Sequence, residues 1–112
     1  MLPKQHRLFL RKELHRIQKE GKVCQFPLFG LLVAQGDASV SRFAFIVSKK
    51  IHKRAVKRNR IKRLLRESVR SFLPKINPGY EVVFLVKKRV LEKDFQAVKS
   101  AVKKSFERIG LL

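Results

Sequence analysis

A chain of 112 residues with 28 Lys and Arg against 8 Asp and Glu carries a formal charge of +20, which repels itself unless a polyanion neutralises it. Its 45% hydrophobic content excludes a wholly disordered basic tail, and its length fits a single domain over residues 1–112. It has no run of about 18 apolar residues to span a bilayer, and its one cysteine excludes a disulfide framework or a cysteine-built zinc site.

The opening residues, Met1 to Leu10, carry Lys4 and Arg7 and lack a continuous apolar stretch, so they do not read as a signal peptide. A reducing cytoplasm is the expected compartment. Residues 1–9 are expected to be extended. Leu10, Leu14 and Ile17 recur at helical spacing, and Gly21 follows as a C-cap, which predicts a helix over 10–20. His6 and His15 have no ligand partners at metal spacing and read as surface residues. Cys24 reads as a small buried hydrophobe. Residues 24–34 read as one strand, with Pro27 marking an edge or the beginning of pairing. Residues 35–39, Gln-Gly-Asp-Ala-Ser, form a turn. In the next strand, 41–48, Phe43, Phe45 and Val47 lie on one face and Ala44, Ile46 and Ser48 on the other. Both faces are mostly apolar, as in a sheet covered on both sides or a strand near its centre. The two strands are close enough to form a hairpin.

A long helix is predicted from Lys53 or Arg54 to Phe72 or Leu73, stopped by Pro74. Ile61, Leu64, Leu65, Val69 and Phe72 form its apolar stripe. Asn77-Pro78-Gly79 is a turn, and 80–86 is a β-branched, apolar strand. A last helix over 92–109 places Phe95, Val98, Val102, Phe106 and Ile109 inward, with Lys99, Lys103 and Lys104 outward as solubilising charges. The order is α, β, β, α, β, α, with room for a short extra strand among 22–48, which would give αβββαβα and a mixed four-stranded sheet. The fold class is α/β (α+β), with the helices expected on one face of the sheet.

Half of residues 48–67 are Lys or Arg, and Glu67 is the only acid between Ser41 and Tyr80. At about 100° per residue, Arg63, Arg66 and Arg70 fall opposite the apolar stripe with Asn59 beside them. A solvated helix face normally mixes signs, so this one reads as a row of guanidiniums facing an anion. Arg suits phosphate because its planar fork pairs two oxygens at once. The eight acids are scattered along the sequence, and between Lys49 and Arg70 there is no carboxylate pair, Cys/His cluster or Ser–His–Asp set. A phosphodiesterase made of protein alone would usually need carboxylates to hold two metals.

Val47-Ser48-Lys49-Lys50, Lys53-Arg54-Ala55 and the run from Arg58-Asn59-Arg60 through Lys62-Arg63 to Arg66-Glu67 closely resemble the signature of the bacterial ribonuclease P protein subunit. Arg7-Leu8 and Arg16-Ile17 with Gly21-Lys22 resemble the opening helix of that family. The resemblance implies a fold like the second domain of ribosomal protein S5, with a left-handed strand–helix–strand crossover against the general rule. It implies a protein monomer in a ribonucleoprotein that removes the 5′ leader of precursor tRNA. There the RNA subunit is the catalyst, Mg²⁺ is held mainly by RNA, and the protein supplies no catalytic residue, metal ligand or intrinsic cofactor. By the same resemblance Arg58, Arg60, Lys62, Arg63 and Arg66 contact the RNA subunit, and Lys49, Lys50, Lys53 and Arg54 extend that surface. Asn59 either contacts RNA or a metal-bound water, or braces the motif. His52, among these bases, reads as a neutral or stacked surface residue.

The family's leader cleft lies between the first helix and the sheet, where stacking holds single-stranded RNA. This sequence departs from the pattern there: Leu14 and Gln18 stand where many members carry aromatics, and Leu31 stands at an often aromatic strand position. Phe29, Phe43 and Phe45 are the candidates to compensate, although all three equally suit a core. Two other readings compete. A ribosomal protein or general RNA chaperone fits the composition. A DNA-binding module fits less well, because no helix-turn-helix spacing or zinc finger is visible.

Overall fold

The apolar alternation along residues 80–86 decides the architecture. In the computed structural model, which describes residues 2–36 and 39–112, the elements run α1 (Leu10–Glu20), β1 (Lys22–Gln25), β2 (Phe29–Gln35), β3 (Arg42–Ile46), α2 (Ala55–Phe72), β4 (Tyr80–Val86) and α3 (Phe95–Ile109). Asp37 and Ala38 of the expected turn, and Met1, lie outside the described residues. The sheet order is β1-β2-β4-β3, so β4 is central, antiparallel to β2 and parallel to β3. Leu31 and Phe45 both register on Phe84, one from each side.

Successive β4 residues face opposite layers. Val82, Phe84 and Val86 join Phe29, Leu31 and Phe43 beneath α2 and α3, which contribute Leu65, Val69, Val102 and Phe106. Val83 joins Leu32, Ala34 and Ala44 against Ile17 of α1. The helices therefore cover both faces of the sheet, not one, which is why strand 41–48 is apolar on both sides although β3 is an outer strand. The expected split of its faces holds, with Phe43 and Val47 in one cluster and Ala44 in the other. Phe84 lies 5.0 Å from Phe29, 5.0 Å from Phe45 and 5.9 Å from Phe106, ring centre to ring centre.

Several expected boundaries move. The single strand over 24–34 is a hairpin, β1 with β2, broken at Phe26-Pro27-Leu28 because proline offers no ladder donor. The hairpin expected between 24–34 and 41–48 does not form, because β4 lies between β2 and β3. Cys24 is half-buried on the outer strand β1 and is not a core residue. The last helix begins three residues late, where the Asp94 carboxylate accepts the Ala97 N–H at 2.9 Å. Lys99 is not wholly outward: its ammonium lies over the Phe72 ring, 5.8 Å from the centroid. Gly110 ends α3 at φ +82, in the left-handed region. Gly21 caps α1 for another reason. A Cβ there would stand 2.5 Å from the Ile17 carbonyl oxygen and 3.0 Å from Leu32.

Residues before α1 are more than an extended arm. Leu2 is buried in the α2–α3 cluster and Leu8 in the α1 cluster. Between them lies a 3₁₀ turn, Lys4–His6. The Leu8 N–H donates to the Phe43 carbonyl at 2.9 Å, and His6 Nδ1–H donates to the Ser41 carbonyl at 2.8 Å. His6 thus fastens this segment to the outer edge of β3 and is not a free surface histidine.

Candidate nucleic-acid interface

Burial of Ile61, Leu65, Ser68 and Val69 fixes how α2 is rotated on the sheet. Helical geometry then distributes its cations over three aspects. Asn59, Arg63 and Arg70 stand exposed on the crest. Lys62 and Arg66 lie on one flank, half-buried, and help line a groove of about 420 Å³ shared with Arg7, Phe9, Arg11 and Phe45. Lys57 and Arg60 lie on the other flank, in a groove of about 340 Å³ with His52, Leu64, Leu91 and Lys93.

Arg58 does not join an outward row. It points to the core side of the first helical turn, where Nη1 donates to the carbonyls of His52 at 2.9 Å and Lys53 at 2.7 Å. Helix α2 has no side-chain cap, and His52 Nδ1 accepts the Arg54 N–H at 3.1 Å. The bracing weighed for Asn59 is therefore done by Arg58. A helix carrying Arg at positions 58 and 60 cannot aim both the same way, since they stand about 160° apart. Lys49, Lys50, Lys53 and Arg54 are exposed along the turn from β3 into α2 and extend the basic surface beyond the crest.

The four residues expected to line the leader cleft are not brought together. Leu14 is half-buried and Gln18 exposed on α1. Phe29 and Leu31 have no accessible surface and lie on the opposite face of the sheet, under α2 and α3. The period of two in β2 turns these residues away from α1 and presents Leu32 and Ala34 to it instead. Phe43 is buried too. Sequence reasoning missed Arg7, Phe9 and Arg11, whose alternation of cation and ring was the available signal. It also missed Lys57 and Lys93.

Three of the eight acids are gathered, contrary to their scattered look in sequence. Arg16 of α1 bonds Glu13 at 2.7 Å, Glu20 at 3.2 Å, and Glu81 of β4; Arg42 of β3 takes the other Glu81 oxygen at 2.5 Å. The Arg16 guanidinium is held charged even more firmly than usual, by the Glu81 hydrogen bond first and then by Glu13. The same contact holds the Glu13 carboxyl below its ordinary range. Among the described residues no group of three or more His, Cys, Asp or Glu is placed to hold a metal ion, and these carboxylates serve arginines instead.

The Ribonuclease P family model matches residues 2–110. The ribonuclease P protein component of Clostridium kluyveri is 35% identical over 108 residues, covering 95% of this chain and 96% of that protein. That of Caldanaerobacter subterraneus is 34% identical over 100 residues, covering 89% and 85%. The RNase P protein of Thermotoga maritima superimposes with a TM-score of 0.84 at 31% identity, covering 91% of this chain and 96% of that one. A mutant of the Staphylococcus aureus RNase P protein reaches a TM-score of 0.89 at 20% identity, covering 97% and 92%, which shows the shared fold. With sequence, family model and fold in agreement over almost its whole length, the chain belongs to the ribonuclease P protein family.

Proposed function

We propose that α2 stands as a ridge between two RNA strands: the catalytic RNA along its crest and one flank, and the 5′ leader of precursor tRNA in the groove on the other flank. Membership of the family makes the chain the protein component of ribonuclease P, a ribonucleoprotein endoribonuclease that matures tRNA 5′ ends, with the ribonuclease P RNA as its partner. It also sets aside the ribosomal and chaperone readings. The single observation that carries the finer assignment is the division of the α2 cations into Lys62 and Arg66 on one side and Lys57 and Arg60 on the other. A cationic ridge with a groove on each side fits two backbones better than one.

In this reading the protein contributes binding and position, and phosphodiester hydrolysis belongs to the RNA with its Mg²⁺. The acids of the chain support that division of labour, because Glu13, Glu20 and Glu81 are bound to Arg16 and Arg42. Among the described residues no group of three or more His, Cys, Asp or Glu could hold a metal ion, whereas a protein-only phosphodiesterase would usually need carboxylates to hold two. The protein acts as a monomer within the ribonucleoprotein, in the cytoplasm. No helix among the described residues is long and apolar enough to cross a membrane.

Reconstitution tests the proposal. The chain mixed with a bacterial ribonuclease P RNA restores cleavage of precursor tRNA at low Mg²⁺, and the chain alone cleaves nothing. Failure to stimulate several such RNAs, or cleavage by the RNA-free polypeptide, overturns it.

A further inference from the structure

The groove of about 340 Å³ on the Lys57 and Arg60 flank of α2 has a floor as well as a rim. Ile61 and Val90 are buried beneath it, Leu64 is half-buried, and Leu91 is left 42% exposed. Leu91 thus leaves apolar area in water that burial would turn to the benefit of the fold. Lys57, Arg60 and Lys93 stand around these side chains.

His52 completes the lining, and the position of its proton is fixed. Nδ1 accepts the Arg54 N–H at 3.1 Å. A backbone N–H only donates, so Nδ1 presents a lone pair and the ring proton is on Nε2. The His52 carbonyl accepts from Arg58 Nη1 at 2.9 Å, so the residue is held through both its ring and its backbone. The imidazole is therefore a directional donor among three cations and not a fourth charge.

A track for phosphates alone needs cations and has no use for an apolar floor. An unpaired nucleotide uses both, because its phosphate is anionic, its base has broad faces, and the base edge accepts hydrogen bonds. A duplex does not fit, since its base faces are covered by stacking. Small-ligand sites span about 300–1,000 Å³, so this groove suits one nucleotide and not a helix.

We propose that the groove takes one unpaired nucleotide of the RNA subunit. Its base lies on Leu64 and Leu91, the base edge accepts the His52 Nε2–H, and its phosphates pair with Lys57, Arg60 and Lys93. His52 is then a specificity-determining residue, and the signature at 58–66 does not include it. The identity of the strand rests on the functional reading above. The leader groove, on the other flank of α2, takes no part.

Two amides separate the two ring nitrogens. His52→Asn keeps an acceptor where Nδ1 stood and has nothing at Nε2. His52→Gln reaches the Nε2 position with an amide N–H and leaves the Arg54 N–H unmet. Affinity for a bacterial ribonuclease P RNA is expected to fall about fivefold in His52→Asn and to stay native in His52→Gln. Any other pattern, including a loss shared by both or confined to Gln, overturns the proposal. Circular dichroism confirms that each variant is folded at the titration temperature. Leu91→Ser is expected to weaken the same binding about fivefold, and native affinity there also overturns it. The chain has no tryptophan, so Leu91→Trp puts a unique fluorophore on the floor. Its emission is expected to quench saturably with that RNA, and unchanged emission refutes the pocket. The double change Lys57→Ala and Arg60→Ala is expected to lower the salt slope by about two units. If the slope is unchanged, this flank does not meet RNA and the functional reading of it fails together with the pocket. If the slope falls while His52→Asn and Leu91→Ser bind natively, the functional reading stands and the nucleotide pocket alone is overturned.

Discussion

Arg42 donates from Nη2 to Glu81 Oε2 at 2.5 Å, and the carboxylate it grips has a side chain only 1% exposed. Arg16 of α1 takes the other oxygen. Glu81 therefore joins the central strand, the outer strand and the first helix at one point. A buried carboxylate is tolerable only when it is paired and hydrogen-bonded.

Removing that charge leaves two guanidiniums facing a neutral group. Breaking a fully buried pair costs about 3–5 kcal/mol, but Arg16 and Arg42 are 36% and 27% exposed and can turn towards water. Glu81→Gln is therefore expected to lose about 2 kcal/mol. Urea unfolding checks this through a lower midpoint at unchanged slope. A midpoint equal to the native one shows that the junction adds nothing.

Acid should loosen the neighbouring contact between Glu13 and Arg16. Glu13 has its pKa lowered in the folded chain by the Arg16 hydrogen bond, from an ordinary value of 4.5. A depressed folded pKa gives stability that is present above the unfolded value and is lost as pH falls through the folded one. The thermal midpoint of the native chain is thus expected to fall between pH 5 and pH 3 more steeply than that of Glu13→Gln. Parallel curves for the two would dissociate Glu13 from the acid response.

The crest and the first turn of α2 should separate in experiment. Arg63→Ala removes an exposed fork and is expected to reduce the salt slope of RNA binding by about one unit, with stability unchanged. Arg58→Ala frees two loop carbonyls and is expected to cost about 1 kcal/mol of stability as well. Paired salt titrations and denaturant melts distinguish these outcomes. A stable Arg58→Ala chain would mean that the contacts to His52 and Lys53 do not brace the helix.

Phe84 lies where the sheet meets both larger helices, among three other rings. Phe84→Ala is expected to cost about 3–5 kcal/mol, a large share of the roughly 5–15 kcal/mol that holds a domain of this size together. Loss of cooperative unfolding in calorimetry is the expected sign, and a melt near the native one would show that the core closes over the gap.

The sequence carried the helices and the β3–α2–β4 order plainly, because Ile61, Leu65 and Val69 or Val98, Val102 and Phe106 repeat at one angular position. It hid which face of β2 meets α1. A strand buried on both sides is apolar at every residue, so Leu31 and Leu32 look alike until the register with β4 separates them. It hid the Glu81 junction too, since Glu13, Arg42 and Glu81 meet only through tertiary packing. The signature at 58–66 named the family, but its residues differ in role: helical rotation sends Arg58 to its own loop and Arg63 to the solvent.

The burial of Leu2 in one cluster and Leu8 in the other has a bearing on biosynthesis. Residues 2–8 leave the ribosome before Phe43 and its neighbours, against which they find their places, and β3 is aligned only once the far longer excursion through α2 has brought in β4. This segment is made before its partners and fitted after them, like a latch closed on a finished box.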